Sequence, residues 1–216
     1  TSGDTIGDVN WFADDGTDLL STVAQIRVAV EGTVAANTTP GSMAFRTTAA
    51  GAQNPTTALT LDSAQDATFA GTIYAPTQPA FAVHLNDWMD NATGDNSVVT
   101  ITLDTETLDT GGDFNTSTYT FTAPVDGRYI FACSIGMYYV AGGYSEMRLL
   151  TTGRNFLWSY EVIDTVYYTV RMGTVIVDMD ANDTAYMTGR NSGSAQTTEI
   201  TPGNGATHLT GYLLPS

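Results

Sequence analysis

The chain is built from short segments in which apolar and polar residues alternate. In QIRVAV (25–30), for example, Ile26, Val28 and Val30 alternate with smaller or polar neighbours, and a period of two is typical of a half-buried strand. Gly, Pro, Asn and Asp separate these segments, and such residues favour turns. Because the pattern recurs along nearly the whole length, the sequence predicts an all-β protein.

The sequence divides near APTQPAF (75–81), where two prolines interrupt it. Residues 1–78 hold few large apolar side chains and could hardly bury a core alone. They contain only five aromatics, Trp11, Phe12, Phe45, Phe69 and Tyr74. The pattern indicates either a flexible linker or an intertwined multichain β stem in which neighbouring chains supply the missing core, and the repeated strands favour the stem. Residues 18–24 are predicted to form a short helix or turn that leads into a strand.

Residues 79–216 are denser in aromatic and β-branched residues. Strands that recur at this spacing between Gly, Asn and Asp turns predict a sandwich or jelly roll. In TVYYTVRM (165–172) both faces are partly apolar. We expect this where one face of a sheet packs on the core and the other contacts a neighbouring chain. The candidate strands are AFAVHL, SVVTITLD, STYTFTAP, GRYIFACSIGMYYV, SEMRLLTT, NFLWSYEV, TVYYTVRMGTVIVDM, DTAYMTGRN and THLTGYLL.

The charge of the chain excludes two classes of partner. The 216 residues include 7 basic residues, all arginine, and 23 Asp or Glu, which gives a formal net charge of −16. An acidic surface of this kind repels phosphate and anionic lipid. No apolar run approaches the roughly 20 residues that a membrane helix needs. We therefore expect neither nucleic-acid binding nor membrane insertion.

Cys133 is the only cysteine, so no disulfide can form within the chain and stability must come from packing. The run 132–136 loosely resembles a nucleophile elbow, but an elbow needs a sharp turn from a strand into a helix. This run lies inside a predicted long strand, where Cys133 alternates with Phe131 and Ile135. We interpret Cys133 as a small buried apolar residue, assign no catalytic residue, and do not expect an enzyme.

The stretch TFTAPVDGRYIFACSI (120–135) resembles the F-x-x-P-x-x-G-x-Y-x-F motif of complement C1q globular heads. Phe121, Pro124, Gly127, Tyr129 and Phe131 match the motif. Four further segments resemble other parts of the family's sequence. PAFAVHL resembles its opening strand, and VTITLDTETLDTGGDFN resembles the region after it. GTVIVDMDANDTAYM resembles its strand pair with an acidic turn, and THLTGYLL resembles its closing strand. The resemblance implies a TNF-like (C1q-like) jelly-roll sandwich over 79–216 that assembles as a homotrimer and binds partners.

Two segments of the first part resemble stem segments that precede the heads of bacteriophage tail fibres. They are PGSMAFRTTAAG (40–51) and LTLDSAQDATFAGTI (59–73), although Ala58 replaces the usual arginine before the second. The resemblance implies an intertwined trimeric β stem over 1–78 and a head over 79–216. It further implies a virion tail-fibre tip that attaches to a glycan or protein receptor on the host surface. A secreted bacterial adhesin or matrix protein is the alternative. A glycan-degrading tail enzyme, which needs a carboxylate pair in a groove, is the third reading.

Five aromatic residues near predicted turns are candidates for receptor binding. Aromatic rings beside polar groups suit sugar stacking and protein contacts. A trimer interface also needs aromatic packing, so the alternative is that several of these rings lie between chains. The candidates are Tyr138, Tyr139, Tyr144, Trp158 and Tyr160.

Acidic residues suggest one metal site. The C1q resemblance implies calcium in the loop before TVYYTV, where Glu161 and Asp164 lie, because three copies near an axis would repel one another without a cation. A solvated acidic loop is the favoured alternative, and no other cofactor is expected. The run 178–182 begins like an EF-hand loop, but Asp183 occupies the place of the required glycine. We predict a β-turn there.

A trimer of chains with a charge of −16 needs an interface that is largely uncharged, or carboxylates neutralised by arginine. The planar guanidinium of arginine holds carboxylates well across a chain boundary. Among the seven arginines, we predict that Arg128 and Arg171 contact carboxylates within or between chains.

Overall fold

The protein is all-β, as the sequence predicts. The computed structural model describes residues 1–140, 142–162, 164–193, 195–203 and 205–215, without the side chains of 160–162. Across these residues the structure has eighteen strands and no helix, so none of the described segments is a helix able to cross a membrane. The chain forms two compact units, Thr1–Tyr74 and Ala75–Ser216.

The first unit is one antiparallel sheet whose strands pair in sequence order. Its strands are β1 (Thr5–Ala13), β2 (Ser21–Val30), β3 (Gly41–Thr47), β4 (Thr56–Leu61) and β5 (Ala67–Phe69). The helix predicted as one option for residues 18–24 does not form. Instead, the backbone N–H of Leu20 donates to Asp18 Oδ1 at 2.8 Å in a turn, and β2 begins at Ser21. The β-branched residues Thr22 and Val23 fit a strand better than a helix.

The first unit has almost no interior. Throughout Thr1–Tyr74, all of which the structure describes, Val30 and Gln25 are the only buried residues. Large apolar side chains such as Val9, Trp11 and Phe69 are roughly half exposed. An apolar sheet face needs a second layer to cover it, and this unit contains one layer only.

The second unit is a sandwich of two antiparallel sheets. Its strands are β6 (Ala80–His84), β7 (Met89–Thr93), β8 (Val98–Thr100), β9 (Thr105–Asp109), β10 (Phe114–Asn115), β11 (Thr120–Thr122), β12 (Gly127–Val140), β13 (Gly143–Thr151), β14 (Arg154–Val162), β15 (Val166–Met179), β16 (Thr184–Asn191), β17 (Thr198–Ile200) and β18 (His208–Leu213). One sheet has the order β10-β11-β16-β13-β14, with β8 beside β16, and the other has the order β7-β17-β12-β18-β6-β9, with β15 beside β12.

The long strands β12 and β15 are antiparallel over nearly their full length, from Gly127 opposite Met179 to Val140 opposite Val166. The chain returns between β15 and β16 through a four-residue turn in which Asn182 has a φ of 75°. Asn tolerates this left-handed conformation. The predicted β-turn at this place is confirmed.

The core of the second unit is aromatic. Phe81 stacks on Phe121 with ring centroids 4.7 Å apart, and Phe121 meets Phe131 edge-on at 5.8 Å. Tyr129 is fully buried and donates its hydroxyl proton to the carbonyl oxygen of Val125 at 2.9 Å. Three of the five motif residues therefore form the centre of the sandwich, with edge-on and stacked geometries that favour aromatic pairs.

The substitution Phe131→Ala tests this core. Removing a fully buried ring leaves a cavity, and we expect the free energy of unfolding of the second unit to fall by about 3–5 kcal/mol. Denaturant unfolding, followed by near-ultraviolet circular dichroism, measures it. Tyr74→Ala, at a highly exposed ring, is the control and should change stability by less than about 0.5 kcal/mol. Equal effects of the two substitutions would contradict this assignment of the core.

Candidate functional site

An exposed cluster of aromatic rings lies at one end of the second sheet. We call Trp88, Tyr138, Tyr139, Tyr167 and Tyr168 the aromatic cluster. Tyr138 is at its centre, with ring centroids 5.2 Å from Trp88, 5.2 Å from Tyr167 and 4.6 Å from Tyr168. Tyr139 meets Tyr167 edge-on at 5.3 Å. Each ring is thus held by at least one other in a geometry that favours aromatic pairs.

The register of two strands produces this cluster. Tyr138 near the end of β12 lies opposite Tyr168 near the start of β15, so the two side chains share a face and come close. Tyr139 has a φ of 54°, a left-handed conformation that costs about 1–3 kcal/mol for a residue with a side chain. At this local departure from strand geometry, the consecutive residues Tyr138 and Tyr139 both contact Tyr167.

The aromatic cluster faces solvent, and Glu199 on β17 lies opposite its central residue Tyr138. Tyr167 is 66% exposed and Trp88 is 46% exposed. A hydrogen bond with Tyr167, and then the electrostatic influence of Tyr167 and Glu199, raise the pKa of Tyr139 above its ordinary value. The result is a surface of ring faces with hydroxyls at its edges, which suits stacking together with hydrogen bonding.

The other predicted aromatics lie elsewhere. Tyr144 is exposed at the start of β13, and its backbone carbonyl accepts a hydrogen bond from Asn191 Nδ2 at 3.0 Å. Trp158 packs against the core from β14, with its indole directly over Gly173. A side chain at Gly173 would collide with that ring. The side chain of Tyr160 lies outside the described residues.

Three members of the aromatic cluster, Trp88, Tyr167 and Tyr168, are not among the site residues predicted from the sequence. Tyr167 and Tyr168 lie in a strand that the sequence predicts, but the alternation pattern does not say which strand lies beside it. Trp88 precedes β7, a strand that the sequence does not predict. The adjacent aromatics in TVYYTV and the lone tryptophan in LNDWMD were the available signals.

Cys133 does not have the surroundings of a nucleophile. It is buried in the core beside β18, and burial raises the pKa of its thiol to about 12. A nucleophilic cysteine needs a lowered pKa and access to solvent. The prediction that Cys133 is a buried apolar residue is confirmed.

The described residues contain no cluster of three or more His, Cys, Asp or Glu side chains that could hold a metal ion. Asp164 is exposed, and the side chain of Glu161 lies outside the described residues. The calcium reading of Glu161 and Asp164 stays a prediction.

Arginines contact carboxylates in three described places. Arg128 Nε lies 3.2 Å from Asp178 Oδ1 across β12 and β15, as predicted for Arg128, although both groups are exposed and such pairs contribute little. Arg148 and Arg190 both bind the carboxylate of Glu146, at 2.8 Å and 2.5 Å. Burial alone would raise the pKa of Glu146, but these two partners outweigh it and lower the pKa.

The third place is in the first unit, where Arg27 donates two hydrogen bonds of 2.9 Å to Asp8. Arg171 donates to the Thr169 hydroxyl at 2.7 Å and to the Val170 carbonyl at 3.2 Å. The predicted carboxylate contact of Arg171 is not among the contacts that the structure describes.

The second unit matches a known domain family. The sequence model of the C1q domain matches residues 80–214, which is more than half of the chain and contains the whole sandwich. The chain belongs to the C1q-domain family. C1q domains have a TNF-like jelly roll, are usually trimeric, and typically act as non-enzymatic binding modules in extracellular or secreted proteins.

Solved structures are similar at low identity. The globular domain of zebrafish complement 1qA protein is 19% identical, with a TM-score of 0.48, and the match covers 64% of this chain and 98% of that one. A crystal structure of murine APRIL at pH 8.5 is 10% identical, with a TM-score of 0.45, covering 62% and 99%. None of the curated protein sequences compared matches this chain.

The reactivity of Cys133 provides a test of the C1q sandwich. Because the thiol is buried and its pKa is about 12, we expect no labelling by a thiol-specific disulfide reagent at pH 8 in the native protein, and one labelled thiol per chain in denaturant. Absorbance of the released thiolate measures it. Rapid labelling of the native protein would contradict the described core.

Proposed function

We propose that this chain is the homotrimeric tip of a bacteriophage tail fibre, whose C1q head binds a glycan or protein receptor on the host surface. The exposed aromatic cluster is the observation that supports it. Five aromatic rings, fixed by contacts with one another, form a surface suited to a partner with flat apolar faces and hydroxyl or amide edges.

Homotrimer formation is supported by the outward face of the second sheet. Ile130 on β12 lies between Ile176 on β15 and Tyr212 on β18, and Ile176 and Tyr212 are about half exposed. Leu108 and Met172 extend the same face and are also exposed. The Arg128–Asp178 ion pair lies on this face too, but its charges offset each other. Three chains of net charge −16 repel one another, so an apolar face of this kind is the part of the head suited to contact between copies.

A trimer also explains how a surface of modest size would hold a host cell. One exposed aromatic pair contributes about 0.5–1.5 kcal/mol beyond its buried area, so each head would bind weakly. Three identical surfaces on one particle would act together and raise the overall affinity by avidity. The first unit, with its single sheet, is proposed as the stem that positions the heads on the virion.

Cell binding by Tyr167→Ala tests the receptor site. Tyr167 is the most exposed ring of the aromatic cluster, and losing about 1.4 kcal/mol per head lowers affinity tenfold. We expect the fluorescent wild-type chain to label at least one strain in a panel of intact bacteria, and Tyr167→Ala to label it at least about tenfold less. Tyr74→Ala removes an exposed ring outside the head and is the matched control, expected to bind like wild type.

The mass of the Tyr167→Ala chain distinguishes the two readings of the aromatic cluster. A receptor site predicts lost binding with an unchanged trimer. Loss of the trimer would instead place these rings between chains and contradict the proposed site. Unchanged binding by a trimeric Tyr167→Ala chain would also contradict it.

A further inference from the structure

The N-terminal sheet has one face composed of apolar rows. Val9, Ile26, Phe45, Leu59 and Phe69 are cross-strand neighbours, one on each of the five strands. A second row beside it holds Gly7, Val28, Met43, Leu61 and Ala67. Side chains directly opposite one another in a sheet share a face, so both rows lie on the same side. We call this the apolar face.

The opposite face of the same sheet is polar. Arg27 binds Asp8 through both carboxylate oxygens at 2.9 Å. Gln25 donates to Asn10 at 2.8 Å and accepts from Arg46 at 2.6 Å. The charged side chains of the paired strands therefore all lie on this face, and the two rows of the apolar face contain none.

No second layer of the N-terminal unit covers the apolar face. Val9 is 58% exposed and Phe69 is 48% exposed, and Met43, Phe45 and Leu61 are each more than one third exposed. Contiguous apolar patches of this kind are rare on monomeric proteins and mark interaction surfaces. A single-layer sheet also needs a partner layer to be stable.

We infer that the apolar face packs against the same face of two further copies of this chain, so that three sheets enclose a shared core around an axis. This rests on the proposed homotrimer. All five strands are already paired within one chain in sequence order, so the sheets associate by their faces without exchanging strands. The polar faces with Asp8 and Arg27 then point outward.

Charge and symmetry favour other copies as the partner. Chains with a net charge of −16 can approach closely only through surfaces without carboxylates, and the apolar face is such a surface. A C1q head is usually trimeric, so assembly of the heads brings three N-terminal sheets together at high effective concentration. Once the heads have assembled, the identical apolar faces of the three sheets no longer need to find one another by diffusion.

The apolar face is a small interface that adds to the contact between heads. Five strands about 4.8 Å apart span about 19 Å, and seven residues with a rise of about 3.4 Å span about 24 Å, so each copy contributes at most about 450 Å². A standard interface buries about 800 Å² per partner. The apolar face therefore strengthens a trimer that the heads also hold together.

Mass measurements over a range of protein concentrations on two full-length variants test the inference. The wild-type trimer has a mass of three times 22.9 kDa, about 69 kDa. F45E places a charge on the apolar face, and we expect it to dissociate to the monomer of 22.9 kDa at a concentration at least about tenfold higher than the wild type does. T60E on the polar face is the matched control and should dissociate like the wild type.

Oxidative labelling of the wild-type chain makes the test independent of how the variants fold. Met43 on the apolar face is 37% exposed in one chain. In the native wild-type chain it should react with hydroxyl radicals at least fivefold more slowly than in the same chain unfolded in denaturant. If Met43 is protected less than that in a trimeric wild-type chain, or if F45E dissociates like the wild type, the inference is overturned and the homotrimer stands. If the wild-type chain is itself monomeric, the inference and the homotrimer both fail.

Discussion

The pairing of β12 with β15 on one side and β18 on the other is the interaction on which the head depends. Because side chains alternate along a strand, this register sends Tyr129 and Phe131 into the core and Ile130 outward. The same register ends at Tyr138 opposite Tyr168. One set of backbone hydrogen bonds thus positions the core, the outward apolar face and the aromatic cluster.

Much of this fold follows from the sequence because the long strands contain strong alternation. The segment 127–140 forms β12 with the predicted bounds, and the predicted strand over 165–179 corresponds to β15. The strands that were missed, such as β7 and β9, have the polar sequences MDNAT and TETLD. Their conformation comes from pairing with β17 and β6, a tertiary contact that a local pattern does not contain.

The candidate site was only partly predictable, for the same reason. Tyr138 and Trp158 look alike in the sequence, since each is an aromatic residue near a predicted turn. The structure separates them, because Tyr138 joins the exposed cluster whereas Trp158 covers Gly173 against the core. Which ring faces solvent depends on the strand that packs opposite, and Gly173 is 15 residues from Trp158 in the sequence.

Each of the two units has an apolar sheet face that the unit itself leaves uncovered, and the proposed threefold assembly covers both faces. An electron cryomicroscopy structure of the assembled full-length chain tests this claim most directly. We expect a threefold axis, with Phe45 facing it in the N-terminal unit, Ile130 between chains in the head, and Tyr167 on the outer surface. A structure in which Phe45 or Ile130 faces solvent would contradict it.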